Sequence, residues 1–265
     1  MKKMIHGFLK IFGYSIVKLE NPKPNIHFAA LWNKISDDQK ATISPYLVFS
    51  KSQYAQDLFV INELSDKKNG YFVEFGATDG IRWSNSWVLE KKLGWTGILS
   101  EPARTWHNAL SKNRDCSIDH RCVTDTTGQL VEFLETGNPT EKFEVSSPEL
   151  SSMAKYANSG DWASKIRVNN SVKYNVETVS LNDLLKFHNA PSHINYLSID
   201  TEGSEVLILR GLDFKSYSFD TITVEHNRDS VVRKTIHDIL TSNGYLRKHE
   251  DISGADDWYV LNVAI

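Results

Sequence analysis

Between Gly70 and Pro102 the chain reads GYFVEFGATDGIRWSNSWVLEKKLGWTGILSEP, and few architectures accept that order of signals. Tyr71 to Phe75 is an apolar run broken only by Glu74, which suits a strand buried on both faces of a parallel sheet. Gly76 follows at once and Gly80 comes four residues later with Asp79 beside it, so the backbone can turn sharply and approach a ligand closely. A helix is predicted from about Asn85 to Leu93, then a second strand from Gly97 to Ser100 that closes on Glu101. An acid about twenty-five residues beyond the glycine turn is placed to accept hydrogen bonds from both hydroxyls of a ribose. The stretch therefore predicts a nucleoside site.

The turn is not the dinucleotide pattern G-x-G-x-x-G, because Thr78 stands where the second glycine lets a pyrophosphate touch the backbone. Its pattern is E-x-G-x-x-D-G. The acids Glu74 and Asp79 would repel a pyrophosphate but suit an ammonium group. A ribose, an adenine, a sulfonium and an amino-acid tail together make S-adenosylmethionine, and that is the expected cofactor. A nicotinamide-dependent oxidoreductase on a similar sheet is the alternative enzyme, with the missing glycine against it.

The 265 residues are enough for one α/β domain with extensions. With 30 Lys and Arg against 33 Asp and Glu there is no general nucleic-acid surface, and no Asn-Pro-Pro-aromatic motif of a nucleic-acid methylase is present. No run of eighteen apolar residues exists to span a membrane. Cys116 and Cys122 are the only cysteines and read as two reduced thiols of a cytoplasmic protein. Residues 1–17, MKKMIHGFLKIFGYSIV, are basic and apolar. Lys10 interrupts the apolar core and no small-residue cleavage site follows, which argues against a signal peptide. An amphipathic helix on the inner membrane surface and packing against the domain are the two expectations. Residues 21–24 read as a linker, so 1–48 is expected to be an extension and 49–265 the domain.

From His27 to Leu64 the chain looks mostly helical, and its segment Ser52 to Asp57 either caps a helix or covers the ligand. Beyond Pro102 a helix is expected from Arg104 to Lys112 and a third strand from Cys116 to Val123, ending near Asp125. Asp125 is then a candidate for the adenine amino group or a surface turn acid. Residues from about 135 to 171 are rich in Ser, Asn, Gly and Lys, and form an insertion suited to an acceptor-binding flap. Strands at Ile194–Ile199 and Thr221–Val224, a helix at Ser230–Ser242, and a hairpin from Tyr245–Lys248 and Trp258–Val263 complete the pattern. Alternating strands and helices predict an α/β fold, with helices on both faces of a parallel Rossmann-like sheet and an antiparallel terminal hairpin.

The Gln56-Asp57 segment, FVEFGATDG, Ser84-Asn85 with Leu89-Glu90, GWTGILSEP, YLSIDTEGSE and FDTITVEHN occur in the order in which the chain resembles the FkbM family of S-adenosylmethionine-dependent methyltransferases. The resemblance runs from about Phe49 to Val263. It implies the class I methyltransferase fold and methyl transfer to an oxygen, commonly of a sugar or polyketide product, with several bacterial relatives resembling surface-polysaccharide modification enzymes. By matching position it implies that Glu74, Gly76, Asp79, Gly80, Asn85 and Glu101 line the cofactor site, with Thr78 inside the same turn. Asp200 and Glu202 would face the reaction. The expected partner is a carbohydrate or lipid-linked sugar acceptor. A catalytically inactive scaffold of the same fold is the non-enzymatic alternative.

In an open parallel sheet, ligands sit beyond the carboxyl ends of the strands. Four such ends carry polar residues here. A sugar hydroxyl must lose its proton, and Asp200 is the first candidate for general base by position, with His226 second by its intrinsic pKa. Ordinary strand-end hydrogen bonding is the alternative for His226, and helix-start acids for Glu202 and Glu205. Asp200, Glu225 and Asn227, at adjacent strand ends, are candidate oxygen ligands for Mg2+. Trp162, in the polar insertion, is the candidate sugar-stacking platform, the other tryptophans being expected in the core.

Overall fold

The computed structural model describes residues 26–137, 147–158 and 164–262. Its frame is a seven-stranded sheet in the order β10-β11-β9-β8-β1-β2-β3. The strands are β1 (Tyr71–Phe75), β2 (Thr96–Ser100), β3 (Ser117–Asp119), β8 (His193–Ile199), β9 (Ser218–Glu225), β10 (Tyr245–Lys248) and β11 (Asp256–Leu261). From β3 through β9 the pairing is parallel, whereas β11 runs antiparallel to β9 and to β10. The parallel α/β sheet with its antiparallel terminal hairpin is thus as the sequence predicts.

Side-chain alternation splits the core into two layers. Val73, Ile98, Leu197, Ile199 and Ile222 face one way. There they pack on α7 (Leu181–Phe187), α8 (Glu205–Gly211) and α9 (Ser230–Ser242). Phe72, Leu99, Tyr196 and Trp258 face the other way. Their partners are α1 (Ile26–Lys34), α2 (Asp37–Ile43), α3 (Gln56–Glu63), α4 (Trp87–Leu93) and α5 (Arg104–Asn113). Leu31 and Ile43 share that cluster with Phe72, so the chain packs with the sheet from α1 onward. The segments at 1–17 and 21–24 lie outside the described residues. Among the described residues no helix is long and apolar enough to cross a membrane, and both cysteines are free thiols.

One expected strand divides. The run from Cys116 to Val123 gives β3 and then β4 (Cys122–Thr124), which leaves the main sheet. Asp119 causes the break: its Oδ1 accepts from the Arg121 N–H at 3.0 Å, closing a turn, while its other oxygen accepts from the Arg121 guanidinium at 2.6 Å. With β5 (Leu130–Thr136), β6 (Ser152–Met153) and β7 (Ser171–Ser180), β4 forms a second sheet in the order β4-β7-β5-β6. Of the stretch expected as an insertion, the described residues give β6, a 3₁₀ turn at Pro148–Leu150 and α6 (Ser164–Asn169), while most of β5 and β7 and all of β4 lie outside it.

Candidate active site

The strand order turns at β1 and β8, and a cavity of about 300 Å³ lies beyond the carboxyl ends of β1, β2, β8 and β9. Gly76 makes the join possible. It has φ +74°, and a Cβ there would lie 2.2 Å from the Asp200 carbonyl oxygen, so only glycine brings the ends of β1 and β8 together.

At one end stands Glu101, 5 % exposed. Its Oε2 accepts from the Thr78 N–H at 2.8 Å and its Oε1 from the Ala103 N–H at 2.9 Å, which orients the carboxyl while leaving lone pairs on both oxygens. Burial pushes its pKa up to about 7 against those two hydrogen bonds. Beside it, Pro102, Cys122, Val123, Phe133, Leu150 and Met153 line an apolar slot. Asp125 is not part of it. Because β4 has left the main sheet, Asp125 is exposed and lies against Gly211.

The glycine turn divides its labour. Thr78 lines the cavity, whereas Asp79 and Gly80 do not. Asp79 Oδ1 accepts from the N–H groups of Ile81 (2.8 Å) and Arg82 (2.7 Å), and Gly80 packs on Leu110 and Arg114. Glu74 borders the cavity, but its carboxylate is already engaged. It accepts from the Asn85 N–H at 2.6 Å and from the hydroxyls of Ser84 (3.1 Å) and Ser86 (2.5 Å), with the Arg114 guanidinium 3.8 Å away. Glu74 shares the parity of Phe72, so alternation points it toward α4 and α5. The open acceptor is Asn85 instead. Its Nδ2 donates to Ser198 Oγ at 2.9 Å, while its Oδ1 is buried with no hydrogen-bond partner among the described residues.

At the other end, Asp200, Glu202 and Glu225 each bring a carboxylate oxygen within 4.8 Å of the others. Removal from bulk water and the neighbouring Asp256 push Asp200 up to about 7, and Glu225 is raised well above the carboxylate range by burial and by Asp200. Burial also raises Asp256 to about 7, its Oδ2 accepting from Gln56 Nε2 at 2.6 Å. Tyr54 faces the same acids and is raised to about 12, first by burial, so it stays a phenol. Glu202 is gripped by Arg167, whose Nε donates to the Leu150 carbonyl at 3.0 Å. Asn227 lines the cavity but donates its Nδ2 to Glu225 Oε2 at 2.8 Å, so the third carboxylate of the cluster is Glu202.

His226 does not line the cavity. Its Nδ1 accepts from the Arg228 N–H at 3.0 Å, and its Nε2 lies 3.9 Å from Asp257 Oδ1. The ring belongs to the wall between β9 and β11. Trp162 lies outside the described residues. Sequence reasoning passed over Tyr54, Trp83, Phe133, Glu149, Met153 and Arg167 as specific lining residues. Only Tyr54 carried a signal, as part of the segment leading into β1.

The family model described as "Methyltransferase FkbM domain" matches residues 74–247. No curated protein matches the chain. Among solved structures the chain is similar to precorrin-6y C5,15-methyltransferase from Geobacter metallireducens GS-15, at 10 % identity and TM-score 0.37, over 77 % of this chain and 85 % of that one. It is also similar to a provisionally named RNA methyltransferase from Pyrococcus horikoshii, at 10 % identity and TM-score 0.40, over 92 % and 100 %. Likeness at those scores is too slight to build on.

Proposed function

The chain belongs to the FkbM methyltransferase family, and from that premise we propose that it is an S-adenosylmethionine-dependent O-methyltransferase acting on a sugar hydroxyl of a glycan or glycolipid. The observation that carries the reading is one cavity with two unlike ends: an oriented carboxyl beside an apolar slot, and a cluster of three carboxyls in which Asp200 and Glu225 have raised pKa. The donor set fits the family's cofactor. Glu101 would accept from the ribose hydroxyls, the slot of Phe133 and Met153 would take the adenine, and the orphaned Asn85 Oδ1 would take the ammonium. When bound, that cofactor supplies a methyl group already electrophilic on its sulfonium.

The residues of the chain have two remaining tasks. They must align a hydroxyl in near-attack geometry, an effect of about 7–11 kcal/mol in general. They must also take its proton, for which a placed base adds about 10²–10⁴-fold. Asp200 is the base. Glu225 beside it holds the pair near one shared proton, as two close carboxyls cannot both ionise freely. Arg167 holds Glu202 ready to accept from a second hydroxyl. The spacing of Asp200, Glu202 and Glu225 also favours a second reading, in which they hold Mg2+ through oxygen and the ion orients two substrate oxygens.

Transfer from labelled S-adenosylmethionine to glycan and lipid-linked sugar fractions, with magnesium or with EDTA, tests both. Label is expected in methyl ethers of sugars. Label found only on nitrogen or carbon acceptors would end the oxygen-directed reading, and loss of transfer in EDTA restored by magnesium would select the second.

Glu101 gives a pH signature. Its pKa is raised on folding, so its stabilising contribution is full below the ordinary carboxylate range and is lost as pH rises through about 7. Ribose hydroxyls donate best to the ionised form, so ligand binding pulls the pKa back down. Calorimetry of S-adenosylhomocysteine at pH 6.5, in buffers of different ionisation enthalpy, should show proton release by the wild-type chain that Glu101→Gln lacks. Equal release by both would remove Glu101 from the ribose site.

A further inference from the structure

The cavity wall contributed by the second sheet carries a carboxylate to which no role has been given. Glu149 sits on the 3₁₀ turn at Pro148–Leu150 and lines the cavity with only 5 % of its side chain exposed. Arg82 Nη1 lies 2.6 Å from its Oε1, yet neither carboxylate oxygen receives an aligned hydrogen bond among the described residues. A buried carboxylate left short of donors is costly unless a ligand supplies them.

Its neighbours set it between the two ends of the cavity. Arg82, its ion partner, belongs to the turn that carries Thr78, whereas the next residue, Leu150, lines the apolar slot and accepts from Arg167, which grips Glu202, one of the three clustered acids. The wall is also acidic: among the described residues six carboxyl groups line the cavity against two guanidiniums, with burial holding Glu101, Asp200 and Glu225 toward the protonated form. One of those two, Arg167, is committed to Glu202 and Leu150, and the other, Arg228, is exposed. Among the described residues, the buried lining atoms that lack a hydrogen-bond partner, Asn85 Oδ1 and both Glu149 oxygens, are all acceptors. A ligand completing this wall brings donors, whereas one bringing a phosphate or carboxylate meets acidic groups, with no uncommitted buried cation among the described residues to receive it.

We propose that Glu149 binds the acceptor, taking hydrogen bonds from a hydroxyl or ammonium beside the reacting oxygen, so that the enzyme selects neutral or amino-bearing polyols and refuses acidic ones. This rests on the sugar-methylating reading above and adds the charge class of the sugar. Glu149 is a specificity-determining residue that is itself held in place by Arg82.

The test uses the full chain saturated with S-adenosylhomocysteine and a panel of methyl glycosides of the common hexoses in neutral, 2-amino and uronic acid forms, with binding measured by saturation-transfer NMR. Neutral and amino members are expected to bind at least tenfold more tightly than the matching uronides. Glu149→Gln should weaken those members at least tenfold while leaving S-adenosylhomocysteine affinity within twofold, which also shows that the variant is folded. Glu149→Asp should recover part of the loss. Arg82→Met, which removes the ion pair but keeps the carboxylate, should retain the preference for uncharged over acidic members. Tighter binding of the uronides, no binding by any neutral or amino member, or unchanged binding by Glu149→Gln would overturn the proposal. A wild-type chain that does not bind S-adenosylhomocysteine would instead bring down the reading beneath it.

Discussion

Substituting leucine for Arg114 is expected to cost about 3–5 kcal/mol of folding stability, the range for breaking a buried ion pair from one side. Arg114 has no exposed side-chain surface and joins three parts of the fold. Its Nε donates to Glu90 Oε2 at 2.8 Å, its Nη1 to the Gly80 carbonyl at 3.1 Å and to Ser84 Oγ at 3.1 Å, and its Nη2 to Ser86 Oγ at 2.8 Å. The Glu74 carboxylate lies 3.8 Å away. Leucine would leave Glu74 and Glu90 without their shared cation and would free the loop that presents Thr78 and Asn85 to the cavity. Burial already raises the Glu74 pKa, with Arg114 the first influence opposing it, so the variant would also protonate Glu74 at higher pH. Lysine at the position keeps the charge but loses the fork, and should recover only part of the loss. Urea unfolding followed by fluorescence measures the effect. A change below about 1 kcal/mol would mean that the network contributes little.

Asp200→Asn should lower the turnover number about 10²–10⁴-fold, the usual worth of a placed general base. Asparagine keeps the volume and the polarity but accepts no proton. S-adenosylhomocysteine affinity should stay within a few-fold of wild type, because Asp200 groups with Glu202 and Glu225 rather than with Glu101. Initial rates at saturating acceptor, with calorimetry of the same preparation, separate chemistry from binding. A fall of less than tenfold would assign the proton elsewhere. An unaltered biological role with the turnover abolished would favour the scaffold alternative.

The frame was legible because its signals are local. β1, the glycine turn, α4 and β2 follow one another within about thirty residues, so apolar runs, Gly76 and the spacing to Glu101 suffice to read them. What was not legible depends on partners remote in sequence. Glu74 reads in the sequence as an acid suited to a ligand's ammonium group, and it becomes a structural one only through Ser84, Ser86 and Arg114. Asp125 was tied to a strand end that the Asp119 turn removes from the main sheet. His226 falls at the right position in the chain, but its contacts run to Arg228 and Asp257 and it does not line the cavity. Glu149 and Arg167 lie on a 3₁₀ turn and a short helix whose sequence shows no clear periodicity, and their place in the wall arises from ion pairs to Arg82 and Glu202.

The central claim is that one cavity holds an adenosyl ligand between Glu101 and Asn85. Isothermal titration of S-adenosylhomocysteine into the wild-type chain and into Glu101→Ala measures it most directly. Saturable one-to-one binding by the wild type, weakened at least tenfold by the substitution, is the predicted result. No binding by the wild type, or saturable binding of NADH in its place, would contradict it.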